Sequence, residues 1–460
     1  MNTSSQLMSP AFVHNLDTCV GCHACVIACA NENGLAPGKF WRQIVTYNPA
    51  HVPGMPVYHL SLACNHCLDA PCIKGCPARA ISRDDRTGAV LIDDAKCIGC
   101  RYCSWVCPYD APQFNADRGV MEKCTFCNHR LTQHSDPACT SMCPTGALSF
   151  GTYVEDETVS VPGFPQAPIR PAITFLPLKG REPQPAPPGS TLPSESEIAA
   201  WTVGVAPPTV SKISLKGDWT LAVFSFIDIA LVAWFLSSLA GGGLISPEIF
   251  GIVGVGGMAL SMLHLGKKER AWRAILNIGN SWLSREVVAY PIFIAMGILS
   301  TAVYPDDSSL AWTTAVVGAV LLVVIDAVYA VMAREWSAQL DGQASVLSAA
   351  FLVSIMTGNV LLALISGALR LYSVVDRMQK RKDWLSGNTR SPLVVTLRIG
   401  VGFVATGLVW FLTGEVSTAA ITCALVGEFV DRLDFYNALD ITTPRRSMAR
   451  ALTWKRSHRR

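Results

Sequence analysis

The sequence predicts a chain of two parts, a small α+β soluble part built around metal and an all-α polytopic membrane bundle of seven to eight helices. Three observations predict it. Of the seventeen cysteines in 460 residues, sixteen fall before residue 144, in four groups of four. The chain is 50% hydrophobic with a mean hydropathy of +0.33, and the apolar excess lies in its second half. Between the halves, Val161 to Val210 holds twelve of the 28 prolines.

Cys19, Cys22, Cys25 and Cys29 are spaced C-x2-C-x2-C-x3-C, and Cys97, Cys100, Cys103 and Cys107 repeat the pattern before Pro108. This is iron–sulfur spacing. Cys64, Cys67, Cys72 and Cys76 widen the second gap to four residues, and Cys124, Cys127, Cys139 and Cys143 widen it to eleven; both end in Cys-Pro. Three thiolates of a tight loop cap three irons of one cubane, and the fourth, one helical turn on, ligates the neighbouring cluster. Motifs therefore work in pairs, and four of them predict four [4Fe–4S] clusters with the sixteen cysteines as iron ligands. A disulfide framework would need an oxidising compartment, and no cleavable leader is expected here. Zinc ribbons do not add a third and fourth thiolate at these intervals. Residues 1–160 are expected to form α+β, ferredoxin-like double-cluster units, with short strands such as Ala89 to Ile92 and one-turn helices after each cysteine loop. Trp41, Arg101, Trp105, Arg118 and Arg130 between the motifs could tune cluster potentials or face a partner, and most of them read as packing or solvated surface. A net charge of +3 without basic stripes excludes nucleic acid as a partner.

Residues 161–215, with Pro183, Pro185, Pro187 and Pro188, read as a stiff linker. Residues 216–440 read as membrane, with seven apolar stretches: Trp219 to Ala240, Pro247 to Leu265, Val287 to Tyr304, Leu310 to Met332, Val346 to Leu369, Leu393 to Leu412 and Val416 to Val430. A basic tail, 441–460, follows. After the cysteine region the only histidines are His264 and His458, so a bis-histidine haem is excluded and a quinone is the natural membrane carrier. His264 closes the second stretch before Lys267, Lys268, Arg270 and Arg273, where an imidazole can exchange a proton with a quinol hydroxyl; a snorkelling interfacial histidine is the bland reading. Asp228, Asp326, Arg398, Glu428 and Arg432 lie in or beside apolar stretches, where a charge must be paired or face water. Glu428 and Arg432, four residues apart, are expected to share a helix face, as an ion pair or as part of a proton path. Cys423 reads as a small buried residue.

These residues carry a resemblance. Residues 12–155, with CVGCHACVIAC, CNHCLDAPCIKGCP, CIGCRYCSWVCPYDAPQF and CTSMCPTGAL, resemble the four-cluster ferredoxin subunit of the DMSO reductase family of molybdenum enzymes. MLHLGKKERAWRAILNIGNSWLSRE and GEFVDRLDFY resemble the DmsC-type membrane anchor, here fused to it. The resemblance implies that Cys19, Cys22, Cys25 and Cys143 share one cluster, and Cys29, Cys124, Cys127 and Cys139 its neighbour. It implies the same for Cys64, Cys67, Cys72 and Cys107, and for Cys76, Cys97, Cys100 and Cys103. It also implies a menaquinol site at His264 and a separate molybdopterin-containing catalytic subunit. Family anchors have eight spans against seven here, and Arg377, Lys380, Arg381 and Lys382 stand where another would lie.

The expected role is thus an electron-transfer and membrane-anchor subunit in a bacterial cytoplasmic membrane, oxidising menaquinol in anaerobic respiration. Seven spans and the positive-inside rule would put the clusters outside. The basic loop after His264 and the lack of an arginine before Arg42, hence of a twin-arginine leader, favour the cytoplasmic face. The alternatives are the same wiring run in reverse, as in a sulfite dehydrogenase, and a non-enzymatic iron–sulfur scaffold.

Overall fold

The computed structural model describes residues 9–49, 56–153, 161, 164–165, 169–176, 178, 215–241, 245–330, 344–382, 394, 396–413, 416–438 and 444. The chain divides into two compact units, Met1–Lys212 with Ile441–Arg460, and Ile213–Asp440. The linker prolines Pro183 to Pro188 and the basic tail from Arg445 lie outside the described residues.

The first unit runs β1 (Pro10–Asn15), α1 (Ala24–Glu32), β2 (Gln43–Tyr47), β3 (Tyr58–Leu62), α2 (Pro71–Gly75), β4 (Ile81–Arg83), β5 (Val90–Ile92), α3 (Tyr102–Trp105), β6 (Gln113–Asn115), β7 (Val120–Glu122), α4 (Asn128–Leu131), α5 (Ala138–Ser141), β8 (Leu148–Thr152) and β9 (Ile173–Leu176). β1 lies between β8, antiparallel, and β9, parallel, in a three-stranded sheet, and the other strands form three antiparallel hairpins. Elements this short bury too little apolar surface to hold a fold alone. A small aromatic cluster ties the first strand to the last motif, with Phe12 and Phe150 each packed edge-on against Phe126 at 4.8 and 5.1 Å. The strand expected at Ala89 to Ile92 is β5.

The second unit is helical: α6 (Leu215–Leu239), α7 (Pro247–Ser261), α8 (Trp282–Ile298), α9 (Ser308–Ala330), α10 (Ala344–Thr357), α11 (Val360–Lys382), α12 (Thr406–Thr413) and α13 (Thr418–Ala438). Ser246 starts α7 by accepting from the Ile249 N–H at 3.3 Å, with Pro247 in the first turn where no N–H is needed. Among the described residues, four helical segments reach spanning size by length and composition: Gly217–Leu239, Pro247–His264, Trp282–Val303 and Ser308–Ala330. Ala344–Thr357, Val360–Val375 and Leu397–Thr413 are apolar but shorter. Outward side chains such as Ile252 and Phe411, 73% and 84% exposed, suit hydrocarbon rather than water.

The stretch read as one span from Val346 to Leu369 is instead two helices. Gly358 takes a left-handed φ of +70°, the Asn359 N–H reaches back to the Ser354 carbonyl at 3.0 Å, and the Asn359 side chain accepts from the Leu362 N–H at 3.0 Å. That is a Schellman stop for α10 followed at once by a cap for α11. α11 then continues through the basic stretch Arg377 to Lys382, and α13 runs on past Val430 to Ala438.

Two glycines set the closest helix approach. A Cβ on Gly402 or on Gly427 would meet the other residue's Cα, so α13 and the π-helical segment Thr396–Ala405 touch backbone to backbone. Gly427→Val should destabilise the detergent-solubilised chain by about 1–3 kcal/mol through overpacking, read as a lowered Tm. Gly407→Ala, whose Cβ would meet nothing within 4 Å, should leave Tm unchanged or slightly raised.

Candidate iron–sulfur centres and the buried charges of the helical unit

The first C-x-x-C of each motif carries a left-handed residue just before its second cysteine: Gly21 (φ +67°), His66 (+44°), Gly99 (+69°) and Phe126 (+61°). This turn reverses the chain between the two thiols. The two regular motifs use glycine, for which the conformation is free; a side chain there costs about 1–2 kcal/mol. In the two variants His66 and Phe126 stack on each other, with centroids 4.2 Å apart and planes 7° from parallel, so one contact offsets strain at both loops.

All seventeen cysteines are free thiols, which leaves no disulfide framework. Cys19 lies within Coulombic range of Cys22, Cys25 and Cys143, and Cys29 within range of Cys127 and Cys139, with Cys124 beside both Cys29 and Cys139. Cys67 has Cys64, Cys72 and Cys107 around it, and Cys103 has Cys76, Cys97 and Cys100. The groups follow one another in one order, each within Coulombic range of the next. Cys25 neighbours Cys139, Cys124 neighbours Cys64, and Cys103 neighbours Cys72. Cys64, Cys67, Cys72 and Cys107 line a common small cavity with His66 and Lys123.

The donor chemistry fits iron–sulfur clusters. Among the described residues no three thiols converge on a single ion position; a cubane needs them apart, because each thiolate binds its own iron. Backbone N–H groups of Ala80, Phe126 and Leu148 donate to the sulfurs of Cys76, Cys124 and Cys143 at 3.3 to 3.4 Å, which fixes and stabilises thiolate ligands. Burial pushes the Cys29, Cys72 and Cys100 thiols up to about 12. Such thiols ionise only against a cation, which iron supplies. At Cys143 burial also pushes upward, but the Leu148 N–H and Thr145 bonds outweigh it and hold the thiol below its ordinary value.

Arg42 and Lys123, 1% and 3% exposed, are functional candidates that sequence reasoning passed over. Lys123 adjoins Cys124, a position that flags it; Arg42 sits in no motif. Of the residues singled out between the motifs, Trp105 is buried in α3, Arg101 lies 4.3 Å over the Phe114 ring, and Arg118 and Arg130 make partly exposed ion pairs.

In the helical unit His264 ends a 3-10 turn that extends α7, and its Nδ1 donates to the Ser261 carbonyl. A second 3-10 helix, Lys268–Ile275, follows with Trp272 and Ile275 exposed, the mark of a segment at a membrane interface. The expected pairing of Glu428 with Arg432 is not what forms. Arg370 of α11 takes Glu428 at 2.7 Å and also Asp431, and Arg398 joins Asp431 and lies 2.9 Å from Asp434. Glu428, Asp431 and Asp434 recur every third residue on α13, so arginines from two other elements straddle one acidic stripe. Arg432 projects to the other flank. It donates to Ser225 Oγ at 2.8 Å and lies over the rings of Tyr329, Phe435 and Tyr436. Asp326 caps α10, accepting from the Ser345 and Val346 N–H groups at 3.0 and 3.2 Å. Asp228 is fully buried, and neither of its carboxylate oxygens has a hydrogen-bond partner among the described residues. Cys423 is half-buried rather than buried.

Arg370→Met should destabilise the detergent-solubilised protein by about 3–5 kcal/mol, because it strands Glu428 and Asp431 in the bundle without their cation. Arg370→Met combined with Glu428→Leu should recover part of that loss in thermal melts.

The profile described as "4Fe-4S dicluster domain" matches residues 55–153, and that described as "DMSO reductase anchor subunit (DmsC)" matches residues 245–380. A Halobacterium salinarum protein named for the iron–sulfur subunit of a dimethyl sulfoxide reductase is 38% identical over 173 residues, 31% of this chain and 65% of the relative. A sulfite dehydrogenase subunit of Allochromatium vinosum is 35% identical over 199 residues, 37% of this chain and 83% of the relative. A polypeptide of the anaerobic dimethyl sulfoxide reductase of Escherichia coli is 40% identical over 146 residues, 30% of this chain and 70% of the relative. The iron–sulfur half is thus matched by relatives that are subunits in their own right, and the helical half by the anchor profile. The chain belongs to the iron–sulfur subunits of the DMSO reductase family, with an anchor subunit of the DmsC type fused to it in one polypeptide.

Proposed function

We propose that this chain carries electrons between menaquinol in a bacterial cytoplasmic membrane and a separate molybdopterin-containing catalytic subunit, in anaerobic respiration. The observation that carries the reading is the succession of four thiol groups, each assembled from two motifs and each neighbouring the next. Cys19, Cys22, Cys25 and Cys143 would hold one [4Fe–4S] cluster; Cys29, Cys124, Cys127 and Cys139 the next. Cys64, Cys67, Cys72 and Cys107 would hold the third, and Cys76, Cys97, Cys100 and Cys103 the fourth. When bound, the clusters supply one-electron exchange at low reorganisation.

The domain scheme is residues 1–160 for the clusters, 161–215 as linker, 216–440 as a seven- to eight-span anchor and 441–460 as tail, with the clusters on the cytoplasmic face. The chain's own residues do the rest. The buried cysteine loops exclude water, and backbone N–H groups steady the thiolates. His264, whose Nδ1 donates to the Ser261 carbonyl, would exchange a proton with a quinol hydroxyl. Glu428 is held in the Arg370 network, and Arg432 lies over the rings of Tyr329, Phe435 and Tyr436.

The relative named as a sulfite dehydrogenase subunit, matched over 83% of its length, favours a second reading with the current reversed and quinone reduced.

EPR of membranes containing the chain, reduced stepwise, should show four interacting [4Fe–4S] signals, at least one of them reduced by a menaquinol analogue. His264→Ala should abolish that reduction with all four clusters assembled; an unchanged rate removes His264 from the site. Clusters indifferent to quinol but reduced through the catalytic partner would establish the reversed direction.

A further inference from the structure

Two cations are buried in the first unit without a carboxylate. Arg42 and Lys123 make no ion pair among the described residues, although burying an isolated charge is costly. Their surroundings are sulfur. The Arg42 guanidinium lies within Coulombic range of Cys25, Cys29, Cys124 and Cys139. These are ligands of the first two thiol groups in the proposed order. The Lys123 ammonium lies within range of Cys64, Cys72 and Cys124, ligands of the second and third. Each cation thus stands where two successive groups adjoin.

Arg42 is held there. Its Nη1 donates to Ser61 Oγ at 2.9 Å and to the Ser61 carbonyl at 3.3 Å, Ser61 Oγ is 3.4 Å from the Cys25 sulfur, and the guanidinium lies 4.5 Å over the Phe12 ring. Its Nε and Nη2 have no partner of good hydrogen-bond geometry among the described residues, and the Cys139 thiol adjoins the guanidinium. Lys123 donates to the carbonyls of Val90 and Cys124, which fixes it in the same way.

We propose that Arg42 is a positioning charge that raises the reduction potentials of the two clusters it adjoins, and that Lys123 does the same one step along the chain. The inference rests on the four-cluster reading. A cubane with four thiolates is anionic and gains a further negative charge on reduction, so a fixed cation favours the reduced form. Arg42 suits the role because a guanidinium stays charged when buried. The cluster of Cys29, Cys124, Cys127 and Cys139 lies beside both cations and is the one whose potential they raise most.

The test uses the full-length chain in detergent. Iron and acid-labile sulfide per chain are measured first, and fewer than four clusters in the wild type would end the four-cluster reading itself. EPR-monitored redox titration follows, with signals assigned through single Cys→Ser variants. Arg42→Gln should lower the potentials of the first and second clusters and leave the fourth alone; Arg42→Lys should stay near wild type. Lys123→Met should lower the second and third. Full iron content with unmoved potentials, or an equal fall at all four clusters, overturns the proposal. If the variants lose iron, pulsed EPR of wild-type protein labelled with 15N-arginine decides it. A nitrogen coupling to a reduced cluster is expected, and its absence overturns the assignment.

Discussion

Twelve of the sixteen motif cysteines are buried, and a buried thiolate is tolerated only beside a cation. That constraint organises the whole first unit. With metal as the core, strands of three to six residues and helices of four to nine suffice around it. It explains why the same left-handed turn recurs in all four motifs: the backbone must present its thiols inward and its N–H groups to sulfur. It also explains two buried cations without carboxylates, in a region where every other arginine or lysine ion pair among the described residues is at least partly exposed.

The helical unit meets the same rule with the sign reversed. Carboxylates on α13 face low-dielectric surroundings and are met by Arg370 and Arg398 from other elements. The network ties α11, the π-helical segment and α13 together where apolar contact alone would specify little, since hydrocarbon outside is as apolar as the helices inside. The Gly402–Gly427 contact adds close packing beside it. Asp228 remains outside this scheme, fully buried and without a hydrogen-bond donor among the described residues, on the helix that also supplies Ser225 to Arg432.

Fusion of the two units has a physical consequence. Separate iron–sulfur and anchor subunits are made independently, whereas a covalent link delivers both units in one chain. The stoichiometry of cluster sites to membrane sites is then fixed by translation.

Cluster chemistry was legible in the sequence because iron ligation depends on residue type and short-range spacing, and C-x2-C-x2-C states both. The membrane half was legible as composition, since spanning helices are long apolar runs. Boundaries were less so: the break at Gly358 hides inside a run that hydropathy reads as continuous, and only the left-handed backbone marks it. Partners were not legible at all. Glu428 lies four residues from Arg432, yet Arg370, 58 positions away in sequence, takes it, because a buried carboxylate pairs with whichever guanidinium the packing brings near. Arg42 has no motif, and only the chain's return past Ser61 and Cys139 places it among thiols. The sequence by itself determined that the first part is an iron–sulfur domain and that the second is made of long apolar helices, because cysteine spacing and apolar runs are local properties. Which thiols adjoin, which charges pair and where a lone cation sits were decided by tertiary structure, because electrostatic energy depends on distance through space rather than along the chain.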